Sequence, residues 1–243
     1  MARSRQISES IGLGLLLALA GGFMDAYSYI ERGQVFANAQ TGNILLFGIN
    51  ISEGNWAIAI QYFWPVVSFT VGIAISEVIH RRDIRRLHWR QLSVLIEVVI
   101  LIGVAFISLD HNLIANSLIS FVCGIQVESF RKMHGRGIAT TMCIGNLRSA
   151  TQNLCDYFEY KEKQYLRNSL LYFTVILSFI IGAVVGNFFI QLFAQYAILV
   201  CAFLQFIAFM MMFIDRESKI KNCQQNDFSL CWQFFILLLH LLF

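Results

Sequence analysis

Eight apolar runs can be marked along the chain, at about 8–30, 36–51, 56–79, 92–109, 112–130, 138–156, 168–191 and 195–214. A helix that crosses a bilayer needs about 20 predominantly apolar residues, and most of these runs qualify. Two do not resemble the rest. The run 36–51 carries Asn38, Gln40, Thr41, Asn43 and Asn50, and 138–156 carries Thr140, Thr141, Asn146, Arg148, Ser149, Thr151, Gln152 and Asn153. Neither could face lipid all round. Irregular or half-helical backbone at membrane depth survives only when surrounded by protein or lining a wet cavity. Both runs are therefore expected in the middle of a bundle, as re-entrant or non-spanning segments.

Charge placement chooses between eight spans and six. With eight spans and the N-terminus inside, the loops put eight Lys/Arg inside and nine outside, which is no bias. With the two polar runs not crossing, the inside holds sixteen of the eighteen basic residues, including the five arginines of 81–90. Arg32 then lies outside and Arg148 within a segment. The positive-inside rule selects the second arrangement. The expected fold is an all-α integral membrane protein of about six transmembrane helices plus two polar segments, with both termini cytoplasmic.

Composition agrees. The chain is 57% hydrophobic and 14% charged, with 22 Phe and one Pro, whereas a soluble domain carries about 25% charged residues. Residues 1–22 have the outline of a signal peptide, but the apolar run continues to Ile30 and others follow, so this segment is taken as the first span. The basic residues sit in short loops, which argues against nucleic acid as a partner. The six cysteines show no CxxC spacing and the five histidines no paired-ligand spacing. No metal site, cofactor or disulfide framework is expected. The chain divides into one membrane domain, 1–215, and a tail, 216–243, ending in a 16-residue apolar stretch too short to be an obvious span.

Sliding the chain on itself by 103 residues superposes Gly21 on Gly124, Asp25 on Glu128, Gly42-Asn43 on Gly145-Asn146 and Asn50 on Asn153. Each half then reads span, polar segment, span, span, with one repeat at about 7–109 and the second at 110–214. Three spans per half make the second half inverted relative to the first. Inverted repeats place a binding site near the midplane, at the repeat interface, built from broken helices.

The runs Gly22-Phe23-Met24-Asp25-Ala26 and Val35-Phe36-Ala37-Asn38-Ala39-Gln40-Thr41-Gly42-Asn43 resemble the YoaK family of bacterial inner-membrane proteins. Gly124-Ile125-Gln126, Thr140-Thr141 and Gly145 followed by Leu147 resemble it in the second half, so the likeness covers roughly 10–215. The sequence departs from the family at Val127, where Asn usually follows the Gln, and at Ile144, where Thr commonly precedes the Gly. The resemblance implies a multi-span protein of the bacterial inner (plasma) membrane and a less polar second site. It supplies no substrate.

The candidate site residues follow from these patterns. An ionised carboxylate near a helix centre costs about 2.5–3.5 kcal/mol on insertion scales, so Asp25 is either a coupling group facing the bundle interior or an interfacial partner of Arg32. Glu128 has the same two readings, with Arg131 and Lys132 as its ordinary partners. Thr41, Gly42 and Asn43, with Gly145 and Asn146, combine close backbone approach with side-chain amides, which suits either desolvated recognition of a small polar solute or helix packing. Asn38, Gln126, Thr140 and Thr141 are candidates for the same cavity. Arg148 is read as an anion ligand or as a balance for Glu128 or Asp156. Glu77 and Glu97 flank the arginine-rich loop 81–90 and are expected at the cytoplasmic interface as its partners. Pro65 is expected to kink the third span.

The expected function is a small-solute transporter or channel with a midplane polar site, embedded in the lipid bilayer and free to form a homo-oligomer. A non-catalytic membrane scaffold or accessory protein is the alternative. An intramembrane lipid-acting enzyme is a third, although no nucleophile or metal constellation supports it, and the expectation is of a non-enzyme.

Overall fold

In the computed structural model, residues 11–81, 89–133 and 136–212 are described. They form eight helices: α1 (Ile11–Glu31), α2 (Gln40–Ser52), α3 (Trp56–Arg81), α4 (Trp89–Ala105), α5 (Asn112–Ser129), α6 (Cys143–Tyr160), α7 (Lys163–Phe193) and α8 (Ile198–Met211). Short 3-10 turns lead into α5 and α8, and Lys132–Met133 pairs antiparallel with Arg136–Gly137. All eight apolar runs have become helices. The two polar runs are helical only in part, because α2 starts at Gln40 and α6 at Cys143, leaving 35–39 and 138–142 as irregular backbone. The expected tail, 216–243, lies outside the described residues.

The burial of α1 follows from its composition. It is apolar all round from Leu13 to Met24 and buried over that whole stretch, as expected of a helix with no polar face. α7 and α8 pack against it, and α5 touches it more lightly. α3 packs on α5 and α2, α6 packs on α7, and α4 packs on α8 and α5. α3 and α7 bury only a stripe: Phe69, Gly72 and Ser76 on one, Val175, Ser178, Gly182, Gly186 and Ile190 on the other. Their other faces expose Trp64, Val71, Ile75, Leu177, Ile180, Val184 and Phe188. So large an exposed apolar surface is stable against lipid rather than water.

Two crossings are made by glycines in contact. A β-carbon on Gly22 would collide with the carbonyl of Phe179, and one on Gly182 with that of Leu19, so α1 and α7 touch backbone to backbone. α3 and α5 do the same, with Gly72 against Phe121 and Gly124 against Phe69. Without a hydrophobic force between helices in lipid, such close packing and interhelical hydrogen bonds hold bundles together. Ser178 Oγ donates to Leu15 O at 2.8 Å, and Ser76 and Ser129 hydroxyls lie 3.0 Å apart.

By length and composition, three helical stretches among the described residues could cross a bilayer: Ile11–Glu31, Trp56–Arg81 and Lys163–Met211, the last containing α7 and α8. α4, with 17 residues, is about 25 Å long, slightly less than the roughly 30 Å hydrocarbon core. α2, with 13 residues, is about 20 Å long and too short to cross. Pro65 lies inside α3 and is buried.

Two readings of charged partners need correction. Arg32 does not serve as the partner of Asp25: it is fully buried just past the end of α1. Its guanidinium donates to Val104 O at 3.1 Å, Ile107 O at 3.0 Å, Ser108 O at 3.3 Å and Asn112 Oδ1 at 3.4 Å, and to the Tyr27 hydroxyl at 2.9 Å. It thus satisfies carbonyls left open at the C-terminal end of α4, where the helix dipole favours a cation. Glu97 is not at the interface but fully buried on α4. Glu77 does pair with Arg81, at 2.9 Å.

Candidate functional site

The site is built around Gly21 in the middle of α1, which both irregular segments, 35–39 and 138–142, approach. Asn38 Nδ2 donates to Gly21 O at 3.0 Å. From the other segment, Thr141 and Thr140 lie against the same glycine: a β-carbon on Gly21 would sit 3.2 Å from the Thr141 methyl and 3.5 Å from Thr140 O. Gly21 thus leaves room for 138–142 to approach α1, at the level where its carbonyl holds Asn38.

Each segment is held by the same device. Asn43, in the first turn of α2, accepts from Phe36 N at 3.1 Å and donates to Phe36 O at 2.7 Å. Asn146, in the first turn of α6, accepts from Ala139 N at 3.3 Å and donates to Ala139 O at 2.6 Å. Irregular backbone away from water must have its polar groups paired, and one side-chain amide, with both donor and acceptor, closes each loop onto its own helix. Neither helix has a side-chain N-cap. In the first half the device is extended: Asn43 Nδ2 also reaches Gln40 Oε1 at 2.9 Å, and Gln40 Nε2 donates to Ala37 O at 2.7 Å. Gly42 is covered by the Phe36 ring, while Gly145 faces open space. Thr41 is exposed.

The carboxylates differ sharply. Asp25 is half-buried and does not pair with Arg32. Its Oδ1 accepts from Asn38 N at 2.7 Å, and the amides of Ala37 and Ala39 also interact with it. It therefore sits at the N-terminal end of α2, where amide groups and the helix dipole favour negative charge. Glu128, which aligns with Asp25 in sequence, instead pairs with Arg131 at 3.1 Å. The N-terminal end of α6 thus receives no carboxylate from Glu128. Arg148 is exposed on α6 and forms no ion pair with Glu128 or Asp156 among the described residues.

A glutamine pair completes the cluster. Gln126 Nε2 donates to Leu17 O at 3.0 Å and Thr140 Oγ1 at 3.3 Å, and its Oε1 accepts from Gln205 Nε2 at 2.7 Å. This chain links α5, α1, the 138–142 segment and α8. Three buried polar atoms at or next to the junction have no partner among the described residues: Asn38 Oδ1, Thr141 Oγ1 and Gln205 Oε1. Buried polar atoms are paired in the great majority of cases, so three around one junction set this place apart from the rest of the core.

Asp25, Asn38, Gln126, Thr140 and Thr141 are thus brought to one junction, with Asn43 and Asn146 as its supports. Thr41, Glu128, Gly145 and Arg148 lie outside it. Sequence reasoning missed Gln205, placed Glu97 at the interface and paired Arg32 with Asp25. Gln205 was visible as the sole polar residue in an otherwise apolar α8, and Glu97 as a lone carboxylate on the buried stripe formed by Val94, Val98 and Leu101.

An all-helical bundle with lipid-compatible outer faces and helices long and apolar enough to cross a bilayer defines a polytopic membrane protein. Residues 13–211 match the family described as "Protein of unknown function (DUF1275)", and the chain belongs to that family. It is 27% identical over 181 residues to UPF0700 transmembrane protein YoaK of Bacillus subtilis (strain 168), covering 70% of this chain and 79% of the relative. That relative's transmembrane description agrees with the bundle found here. No solved structure matches the chain.

Proposed function

We propose that the protein is a pathway for a small polar solute, running between two inverted three-span repeats and past the junction at Gly21. On this reading α1, α3, α4, α5, α7 and α8 cross the bacterial inner membrane, with the arginine-rich segments on the cytoplasmic side, and α2 and α6 enter without crossing. The observation that carries it is the convergence of segments 35–39 and 138–142 on Gly21, each tied by an equivalent asparagine. Supporting it, α1 packs on α7 as α5 packs on α3, α2 on α3 as α6 on α7, and α4 on α5 as α8 on α1. A helix order related in this manner is what inverted repeats require. Asp25, with Asn38 Oδ1 and Thr141 Oγ1, offers acceptors, so the favoured guest is a small solute rich in donors or carrying a positive charge.

The test is accessibility. Single cysteines replace Asn38 or Thr141 in a background lacking the native cysteines, and a membrane-impermeant thiol reagent is applied from each side. Asn43 and Asn146 would be poor reporter positions, since their side chains hold the loops. Labelling at both positions, with solute protecting against it, is expected. Folded protein that reacts at neither position from either side would refute a pathway at the junction.

A further inference from the structure

Glu97 is the most conspicuous group that the proposed pathway does not use. It is fully buried on α4, and neither carboxylate oxygen has a hydrogen-bond partner among the described residues. Its register can be read from the packing of α4 on α8. Val94 and Val98 share one core cluster with Ala208 and Phe209, while Leu101 shares another with Cys201 and Ala202. The two helices are therefore antiparallel, and Glu97 lies level with Gln205. Gln205 has committed its Nε2 to Gln126 and leaves Oε1 buried without a donor. At one level of the bundle there are then three acceptor oxygens and no donor to join them.

We infer that Glu97 and Gln205 form a proton-binding site in the wall of the midplane junction, the proton residing on the Glu97 carboxyl with Gln205 Oε1 as its acceptor. The chemistry is an exchange with water: the Glu97 carboxylate takes a proton from solvent, and a carboxylate without donors becomes an O–H donor. An ionised carboxyl without a partner in a dry bundle is very costly, and one proton removes both that cost and the unpaired Gln205 oxygen. The Gln205–Gln126–Thr140 chain then connects the site to segment 138–142, so loading and unloading of the proton is felt at the junction. The inference rests on the pathway reading for its role as the coupling proton, though not for the existence of the site.

The surroundings leave few competitors. α5 contributes Cys123 and α8 contributes Cys201, both within electrostatic range of Glu97, and Asp25 of α1 acts on the same Cys123. On α3, Glu77, His80 and Arg81 interact with one another, and Glu128 of α5 pairs with Arg131. Arg32 caps the far end of α4, and Tyr196 of the turn before α8 meets Phe106 edge-on at the same end. No Lys, Arg or His among the described residues pairs with Glu97.

Infrared difference spectroscopy of the full chain in lipid, with protons as the only ligand, tests this. Wild type at neutral pH should show the carbonyl stretch of a protonated carboxyl, shifting down in deuterated buffer because the proton exchanges. Glu97→Gln should abolish the band, and Gln205→Leu should move it by removing its acceptor. If Glu97→Gln fails to assemble, Glu97→Asp keeps the carboxyl but shortens its reach and must displace the band. A wild type without the band, a band unchanged in the Glu97 variants or in Gln205→Leu, or one that does not exchange, overturns the inference. The two readings fail separately. An exchanging band without labelling at positions 38 and 141 refutes the pathway alone, and labelling without a band refutes the proton site alone.

Discussion

Replacing Asn43 by alanine removes three hydrogen bonds, two to Phe36 backbone and one to Gln40 Oε1, and replacing Asn146 removes two to Ala139 backbone. A net hydrogen bond in a soluble protein is worth about 0.5–1.5 kcal/mol, and a buried group left without its partner costs about 1–3 kcal/mol. Couplings measured inside membranes are smaller, averaging about 0.6 kcal/mol. The expected loss is therefore about 2–4 kcal/mol for Asn43→Ala and about 1–3 kcal/mol for Asn146→Ala. Asparagine to aspartate sharpens the test. The shape is kept and the acceptor for Phe36 N survives, but the donor to Phe36 O and Gln40 Oε1 is gone, so Asn43→Asp should be at least as damaging as alanine. Unfolding midpoints in a mild detergent, followed by helical circular dichroism, give the ranking. If both alanine variants unfold within about 0.5 kcal/mol of wild type, in the range of ordinary surface changes, the asparagines do not hold the loops. If the aspartate variants behave as wild type, only their shape matters.

Three further expectations use the same assay. Gly182→Ala pushes a methyl into the Leu19 carbonyl and should cost more than about 1–3 kcal/mol, because the obstacle is backbone. Gly103→Ala meets nothing within 4 Å and should be neutral or stabilising by up to about 1 kcal/mol through helix propensity; equal effects from the two would refute the crossing. Arg32→Met strips donors from the end of α4 and should cost about 2–5 kcal/mol, with Arg32→Lys in between because it lacks the planar fork; a wild-type midpoint for Arg32→Met would refute the cap. Asp25→Asn keeps an oxygen for Asn38 N, so the fold should survive within about 1 kcal/mol. Thermal stabilisation by a panel of small cationic and donor-rich solutes should be lost, and responses equal to those of wild type would remove Asp25 from the site.

The number and places of the helices were legible because they depend on apolar run length, and each of the eight runs lies within a few residues of its helix. The expectation that 36–51 and 138–156 lie in the middle of the bundle holds only for their irregular starts: 35–39 and 138–142 reach α1, whereas α2 buries only Gln40, Asn43 and Asn50 and α6 only Asn146 and Ala150, with Thr41, Arg148, Thr151 and Gln152 exposed. What sequence could not supply was the partner of each polar group. Asp25 and Arg32 are seven positions apart and look like a pair, yet one turns to the amides of 37–39 and the other to the end of α4. Both choices depend on where a distant segment docks. Glu97 was misplaced because its neighbour in sequence is the arginine-rich loop, while its position on the α4 stripe with Val94, Val98 and Leu101 turns it inward. Periodicity within the helix was the better guide than proximity along the chain.

The two halves share supports but not chemistry, and this difference bears on mechanism. Asn43 and Asn146 do the same work, whereas the positions that could bind or carry charge differ: Asp25 faces amides while Glu128 pairs with arginine, and Gly42 is covered while Gly145 is open. On the inverted-repeat reading, an exchange of conformation between halves would move a polar first site against a less polar second one. A guest held by Asp25 and Asn38 would then lose its acceptors on only one side of the exchange, which is the differential interaction that any directed conformational shift needs. Glu97 and Gln205 lie in the pair α4 and α8, which contact each other across the two halves. On the same reading, a charge gained or lost there would act on the contact between the two halves rather than within one. That placement would suit a group whose protonation biases the proposed exchange, while Asp25 would suit the group that holds the proposed guest.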